Sequence, residues 1–204
     1  VDLIIESKIP KVVIANMDIN PLVSGQGINK LRTYGIEVIT GVLEKEGREL
    51  NKRFFTFHRE KRPYIILKWA QTSDGFIDAK RDMASAGKQV RISNENSIRL
   101  LHKWRSEEQA VMIGTNTALL DNPRLTVREW QGRNPLRVFT DKWLRIPHNY
   151  HLYDRSTPTL VFTSVKKEDE PNLQYAALDF EKDIPQQIIA QLYHRDVQSV
   201  IIEG

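Results

Sequence analysis

Short apolar runs alternate along this chain with longer stretches whose apolar residues recur at helical spacing, and that alternation predicts an α/β fold. Near the N-terminus, Lys11-Val12-Val13-Ile14-Ala15 and Ile36-Glu37-Val38-Ile39 read as strands. Asp18-Ile19-Asn20-Pro21 reads as a turn after the first of them. Ser24 is then a capping residue for a helix that carries Ile28 and Leu31 and stops at Gly35. A charged helix follows over residues 43 to about 57, with Leu43, Gly47, Leu50 and Phe54 along one side. Strand and helix in this order predict parallel strands joined by crossover helices.

The stretch Tyr64-Ile65-Ile66-Leu67-Lys68-Trp69-Ala70-Gln71-Thr72-Ser73-Asp74-Gly75 starts after Pro63, runs through apolar and aromatic residues, and stops at a turn. It reads as a buried strand. Lys68 sits in its middle. Burying a lysine is costly unless a charge answers it, and strand alternation can equally place Lys68 on a solvated face. Residues 78–91 are polar, rich in small side chains and without a period, as binding loops often are. Ser93 is the expected N-cap of a helix with Ile98, Leu101 and Trp104 at helical spacing. That helix ends near Arg105, whose charge complements the helix C-terminus.

A strand over 109–113 leads through Gly114 into a short helix, whose free N–H groups would suit a phosphate. Asp121-Asn122-Pro123-Arg124-Leu125-Thr126-Val127-Arg128 follows; taken alone it is a turn before an edge strand, flanked by Asp121 and Arg128. Further strands are expected at 136–141, 159–163 and 197–202, with a helix starting near Pro185 and carrying Ile188, Ile189 and Leu192. Two short motifs carry little. Gly25-Gln26-Gly27 lacks the spacing and lysine of a phosphate loop and reads as loop glycines. His148 and His151 have no third ligand and read as surface histidines.

Composition narrows the function classes. At 204 residues, 40% hydrophobic and 27% charged, the chain has room for one large domain, or one domain plus part of another. Glu60-Lys61-Arg62-Pro63 is a polar junction that separates portions 1–60 and 61–204. No apolar run reaches the roughly 18 residues of a membrane span. Asp2, Glu6 and Lys8 break the pattern of a signal peptide. The lack of cysteine excludes disulfides and thiolate metal sites and fits a cytoplasmic protein. A net charge of +4 suits a phosphorylated small substrate; without an aromatic-interleaved basic stripe, neither nucleic acid nor membrane is expected as a partner. The chain opens inside an element at Val1 and closes on Ile201-Ile202-Glu203-Gly204, which reads as a fragment of a longer protein.

Lys68-Trp69-Ala70-Gln71-Thr72-Ser73-Asp74-Gly75, Ile92-Ser93, Leu100-Leu101 through Arg105, Thr117 through Arg128, and Ile201-Ile202-Glu203-Gly204, in this order and spacing, resemble the bifunctional deaminase/reductase family of riboflavin biosynthesis. The likeness falls on its C-terminal reductase domain. Residues 1–60, with Asp18 through Ile28, resemble the last part of its zinc deaminase domain. The resemblance implies a dihydrofolate-reductase-like mixed sheet with flanking helices, preceded by a partial cytidine-deaminase-like α/β unit. It implies a homodimer and an NADPH-dependent reduction of 5-amino-6-(5-phosphoribosylamino)uracil to its ribitylamino form.

By the same resemblance Lys68 and Glu203 are catalytic, two oppositely charged strand residues answering each other's burial. A structural ion pair is the alternative role for these two. Ala70, Arg91, Thr117, Asp121 and Gly204 fall on the cofactor side; Gln89, Arg105, Leu125, Arg128 and Glu203 fall on the substrate side, with the two arginines matching a phosphate. Gln89 and Arg91 depart from the Ser and Trp usual in the family. The family's zinc cysteines are absent, so zinc belongs to the missing deaminase portion and deamination is not expected of this chain. The competing reading is a non-catalytic module that supplies dimer and domain contacts, with an incomplete cofactor site.

Overall fold

The computed structural model describes residues 1–20, 25–86 and 90–204, and the chain divides into two units, Val1–Arg62 and Pro63–Gly204. Among the described residues no helix is long and apolar enough to cross a membrane.

In the first unit, α1 (Asp2–Glu6) precedes β1 (Lys11–Ile14), α2 (Gln26–Thr33), β2 (Glu37–Thr40), α3 (Glu44–Leu50) and α4 (Lys52–Glu60). The two strands pair in parallel from Lys11↔Glu37 to Ile14↔Thr40. Ile28 and Leu31 are the buried face of α2, as their spacing predicts; the expected Ser24 cap lies outside the described residues. The single helix expected over 43–57 is two helices that meet at Asn51. Its expected apolar stripe is not a buried one: Leu43 and Leu50 are exposed, and Phe57 is the buried residue of α4.

The second unit is built on one sheet of six strands: β3 (Tyr64–Lys68), β4 (Ala110–Ile113), β5 (Leu136–Thr140), β6 (Thr159–Thr163), β7 (Leu173–Ala177) and β8 (Ser199–Glu203). Their order is β3-β8-β4-β5-β6-β7. Every pair is parallel, so the sheet expected to be mixed is parallel throughout its described pairings. Helices α5 (Glu95–Glu107), α6 (Thr115–Asp121) and α7 (Ile184–Tyr193) lie in the β3–β4, β4–β5 and β7–β8 connections.

Alternate residues of the central strands feed two cores, one on each face of the sheet. Ala110, Met112, Val138, Leu160, Phe162 and Val200 pack with Ile188 and Leu192 of α7. Val111, Ile113, Phe139, Val161 and Ile201 pack with Leu125, Leu152 and Tyr153. This two-sided burial explains why β4 is apolar throughout and β6 is apolar at its three central residues, Leu160-Val161-Phe162. Strand β3 departs from expectation. It lies at the sheet edge, bonded on one side to β8 only, and Leu67 and Trp69 are exposed. An apolar run alone does not distinguish a central strand from an edge.

Candidate functional site

Strand β8 is last in sequence but lies between β3 and β4. Its carboxyl end therefore sits beside theirs, and in open α/β sheets ligands bind outside the carboxyl ends of the strands. A cleft of about 960 Å³ opens there. Every candidate residue from the sequence that is among the described residues lines it. Lys68 and Ala70 come from the end of β3, Arg91 from the segment before α5, and Arg105 from α5 itself. Thr117 and Asp121 come from α6, Leu125 and Arg128 from the segment after it, and Glu203 and Gly204 from the end of β8. Gln89 lies outside the described residues.

Lys68 and Glu203 are register partners, so their side chains leave the same face of adjacent strands. The carboxylate of Glu203 is nevertheless not bonded to Lys68. It is gripped by Arg105, which donates from Nε at 2.7 Å and from Nη2 at 2.6 Å. Both side chains are buried, and the two parallel N–H bonds are the strongest geometry open to an arginine and a carboxylate. The expected Lys68–Glu203 ion pair is thus an Arg105–Glu203 pair. A guanidinium brings two aligned donors where an ammonium brings one charge. Lys68 is left half-buried beside the pair, with no carboxylate in ion-pair reach among the described residues.

Helix α5 turns a polar face inward. Of its expected stripe Ile98, Leu101 and Trp104, Leu101 packs against the core and Trp104 is exposed, while the fully buried residues are His102 and Arg105. Its N-cap is Asn94, whose side chain accepts from the Ser97 N–H at 2.9 Å; Ser93, the expected cap, precedes it. The inward face fastens the segment after α6. Arg105 Nη1 donates to the Thr126 carbonyl at 3.3 Å, and the Arg128 N–H donates to His102 Nδ1 at 3.1 Å. Asn134 Oδ1 accepts from the Val127 N–H at 2.8 Å. Leu125 is buried in this segment with φ of 52°, a left-handed conformation rare outside glycine. Burial first, then repulsion from Arg105 and Arg124, pushes the Arg128 guanidinium below its ordinary value.

Asp121 has a partner that sequence reasoning missed. Arg81 Nη1 donates to its Oδ1 at 2.7 Å, while the same guanidinium also pairs with Asp78. The Asp121 hydrogen bond, then the bond to Asp78, holds Arg81 firmly charged although its side chain is nearly buried. Desolvation alone would raise the Asp78 carboxyl; bonds from Arg81 and from the N–H groups of Ala79 and Val90 outweigh it and hold the group below the usual carboxylate range. The available signal for Arg81 was its place in an aperiodic polar loop, which names no partner. His102 was findable in principle, because it lies one helical turn before Arg105 and so on the same face. Elsewhere, His148 is exposed against the ring of Tyr153, and His151 bonds through its backbone to Asn122. No group of three or more His, Asp or Glu side chains able to hold a metal occurs among the described residues.

The charges of the cleft wall test whether a phosphate-rich dinucleotide fits. Arg81 is matched by Asp78 and Asp121, and Arg105 by Glu203. Lys68, Arg91, Arg99, Arg124 and Arg128 line the same cleft without an ion-pair partner among the described residues, against only Glu95 and Glu129 as unmatched acids. A surplus of unpaired guanidinium groups is a donor set for phosphates. A phosphate-bearing dinucleotide fits this set.

The RibD C-terminal domain model matches residues 63–204. The riboflavin biosynthesis protein RibD of Aquifex aeolicus is 44% identical over 171 residues, 83% of this chain and 46% of that protein. A Thermotoga maritima crystal structure, described as a diaminohydroxyphosphoribosylaminopyrimidine deaminase/5-amino-6-(5-phosphoribosylamino)uracil reductase, superposes with a TM-score of 0.85 at 39% identity, covering 100% of this chain and 56% of that one. RibD of Acinetobacter baumannii superposes with a TM-score of 0.85 at 25% identity, over 100% of this chain and 57% of that one. The chain therefore spans about half the length of the relatives it matches. With the family model covering the whole of the second unit, the chain belongs to the RibD C-terminal domain family.

Proposed function

We propose that residues 63–204 carry an NADPH-dependent reductase site that converts 5-amino-6-(5-phosphoribosylamino)uracil to its ribitylamino form in riboflavin biosynthesis. The observation that carries this reading is the gathering of the described candidate residues in one cleft, with unpaired cations in its wall. The name of the Thermotoga maritima protein supports the choice of substrate.

The ribosyl ring must open before C1′ can be reduced. The C1′–O4′ bond breaks, the lone pair of the attached nitrogen forms C1′=N, and O4′ takes a proton. Lys68, unpaired beside Glu203, is assigned as the donor of that proton. Glu203, held still by Arg105, is assigned as the anion facing the cationic imine, a preset charge that needs no reorganisation. Arg105 then acts through Glu203, and the phosphate falls to Arg128 with Arg124. Leu125 and Gln89 belong to the substrate side. Ala70, Arg91, Thr117, Asp121 and Gly204 would hold NADPH, which supplies the hydride to C1′ when bound. Orientation of the open imine by these groups is what the protein contributes.

The unit Val1–Arg62 is proposed to be the end of a deaminase domain, with zinc belonging to parts of such a domain that carry cysteines. A cytoplasmic homodimer completes the proposal. The cysteine-free composition supports the compartment, and the exposed Leu67 of edge strand β3, with the exposed Trp69 just after it, supports the dimer.

Titration of NADPH into the chain, followed by nicotinamide fluorescence, tests the cofactor half; saturable binding is expected, and its absence contradicts the proposal. Arg128→Ala is expected to weaken the pyrimidine substrate by about tenfold or more and to leave NADPH nearly unaffected, since one phosphate-binding fork is lost. Equal losses for both ligands would remove the phosphate assignment.

A further inference from the structure

His102, 2% exposed, lies against Arg105 and Arg128 of the cleft wall, and the mechanism above does not use it. Its Nδ1 accepts the backbone N–H of Arg128 at 3.1 Å. An imidazole that accepts at Nδ1 is neutral, with its proton on Nε2. One turn later on α5, Arg105 bonds the Thr126 carbonyl. The same helix therefore holds the segment at two points, and one of them, Arg128, is the residue assigned to the phosphate. Among the described residues, the one hydrogen-bond partner of the Arg128 guanidinium is the Thr126 hydroxyl, at 2.9 Å from Nη1. Its position is set mainly by where its backbone is tied.

We propose that His102 is a positioning residue: its neutral imidazole fixes the backbone of Arg128 and so sets the place from which Arg128 reaches a phosphate-bearing ligand. This inference rests on the assignment of Arg128 to the substrate phosphate. It adds a proton switch to it, because protonation at Nδ1 replaces the acceptor with a donor facing the Arg128 N–H.

The groups facing His102 are Arg105 on its own helix, Arg128 and Glu129 on the tied segment, and Glu203 on β8. Burial first, then the two arginines, holds the imidazole below its ordinary value, and the two glutamates oppose this. The neutral acceptor thus persists through neutral pH and is lost on acidification.

The test is isothermal titration of the full chain with ribose 5-phosphate at neutral pH. His102→Leu removes the acceptor and is expected to weaken binding about tenfold, the scale of a displaced binding group. His102→Asn places an amide oxygen near the Nδ1 position and is expected to stay within about twofold. Arg128→Ala is expected to lose as much as His102→Leu, and the double variant no more than Arg128→Ala, because the histidine acts through the arginine. Loss in Arg128→Ala without loss in His102→Leu overturns the inference and leaves the phosphate assignment standing. Unchanged binding in Arg128→Ala overturns the phosphate assignment, and the inference with it. A loss in His102→Asn equal to that in His102→Leu also overturns the inference.

A second readout needs no His102→Leu protein. Between neutral pH and about pH 5, where an imidazole protonates, affinity of the unaltered chain is expected to fall more steeply than that of His102→Asn. Ionisation of the ligand phosphate is common to both and cancels; parallel curves overturn the inference.

Discussion

The Arg105–Glu203 pair decides how the cleft is charged. Two desolvated side chains meet in a bidentate geometry, and removing one partner strands the other. Arg105→Met is therefore expected to destabilise the second unit by about 3–5 kcal/mol, and Arg105→Met with Glu203→Gln to recover part of that loss. Thermal unfolding of the three proteins checks this; equal midpoints for the single and double variants would contradict it. Asp154 offers a pH test at the same scale. Burial alone would raise its carboxyl, but hydrogen bonds from Ser156 and from buried Arg137 hold it below the ordinary value. Its contribution is complete above the ordinary carboxylate range and is lost as pH falls through the lowered value. Asp154→Asn should flatten the acid limb of the stability curve, and an unchanged acid limb would count against the assignment. Residue identities at the cleft were readable from the sequence by resemblance. Their pairing was not, because Lys68 and Arg105 are both plausible partners for Glu203 until α5 is packed onto the sheet.

At the scale of elements, the helices and strands with one strong period were legible, and their edges less so. Residues 93 and 94 are both capping types, and geometry selected Asn94. Asn94→Ala should cost about 1 kcal/mol, whereas Ser93→Ala should cost less, which chemical denaturation can measure. The helix expected over 43–57 breaks at Asn51, and Gly47 has a packing reason to be glycine. A side chain starting there would lie 2.2 Å from Asn16 Oδ1 and 2.8 Å from the Ala15 side chain. Alanine gains about 1 kcal/mol of helix propensity, but the overlap costs about 1–3 kcal/mol and disturbs the Asn16 bond to the Glu44 carbonyl. Gly47→Ala is expected to destabilise the first unit; a stabilised protein would show that α3 can shift. Strand β7 was not legible at all. Leu173-Gln174-Tyr175-Ala176-Ala177 has little β-branched content, and only its parallel pairing with β6 reveals it.

For the whole molecule, the late strand β8 is the decisive topological event. By lying between β3 and β4 it brings the two ends of the second unit together and sets Glu203 beside Lys68. The sequence carried this only as a likeness, since pairing between residues so far apart leaves no local pattern. The same topology makes the proposed site depend on contributions from five separate stretches, residues 68–70, 90–91, 105, 117–128 and 203–204, which explains why no single motif announced it. The most direct measurement is incubation of the chain with NADPH and 5-amino-6-(5-phosphoribosylamino)uracil, with the product identified by mass. The account predicts one ribitylamino product per NADPH consumed, with turnover lost in Lys68→Met while NADPH binding persists. Saturable binding of both ligands without any product, or full turnover by Lys68→Met, would contradict it.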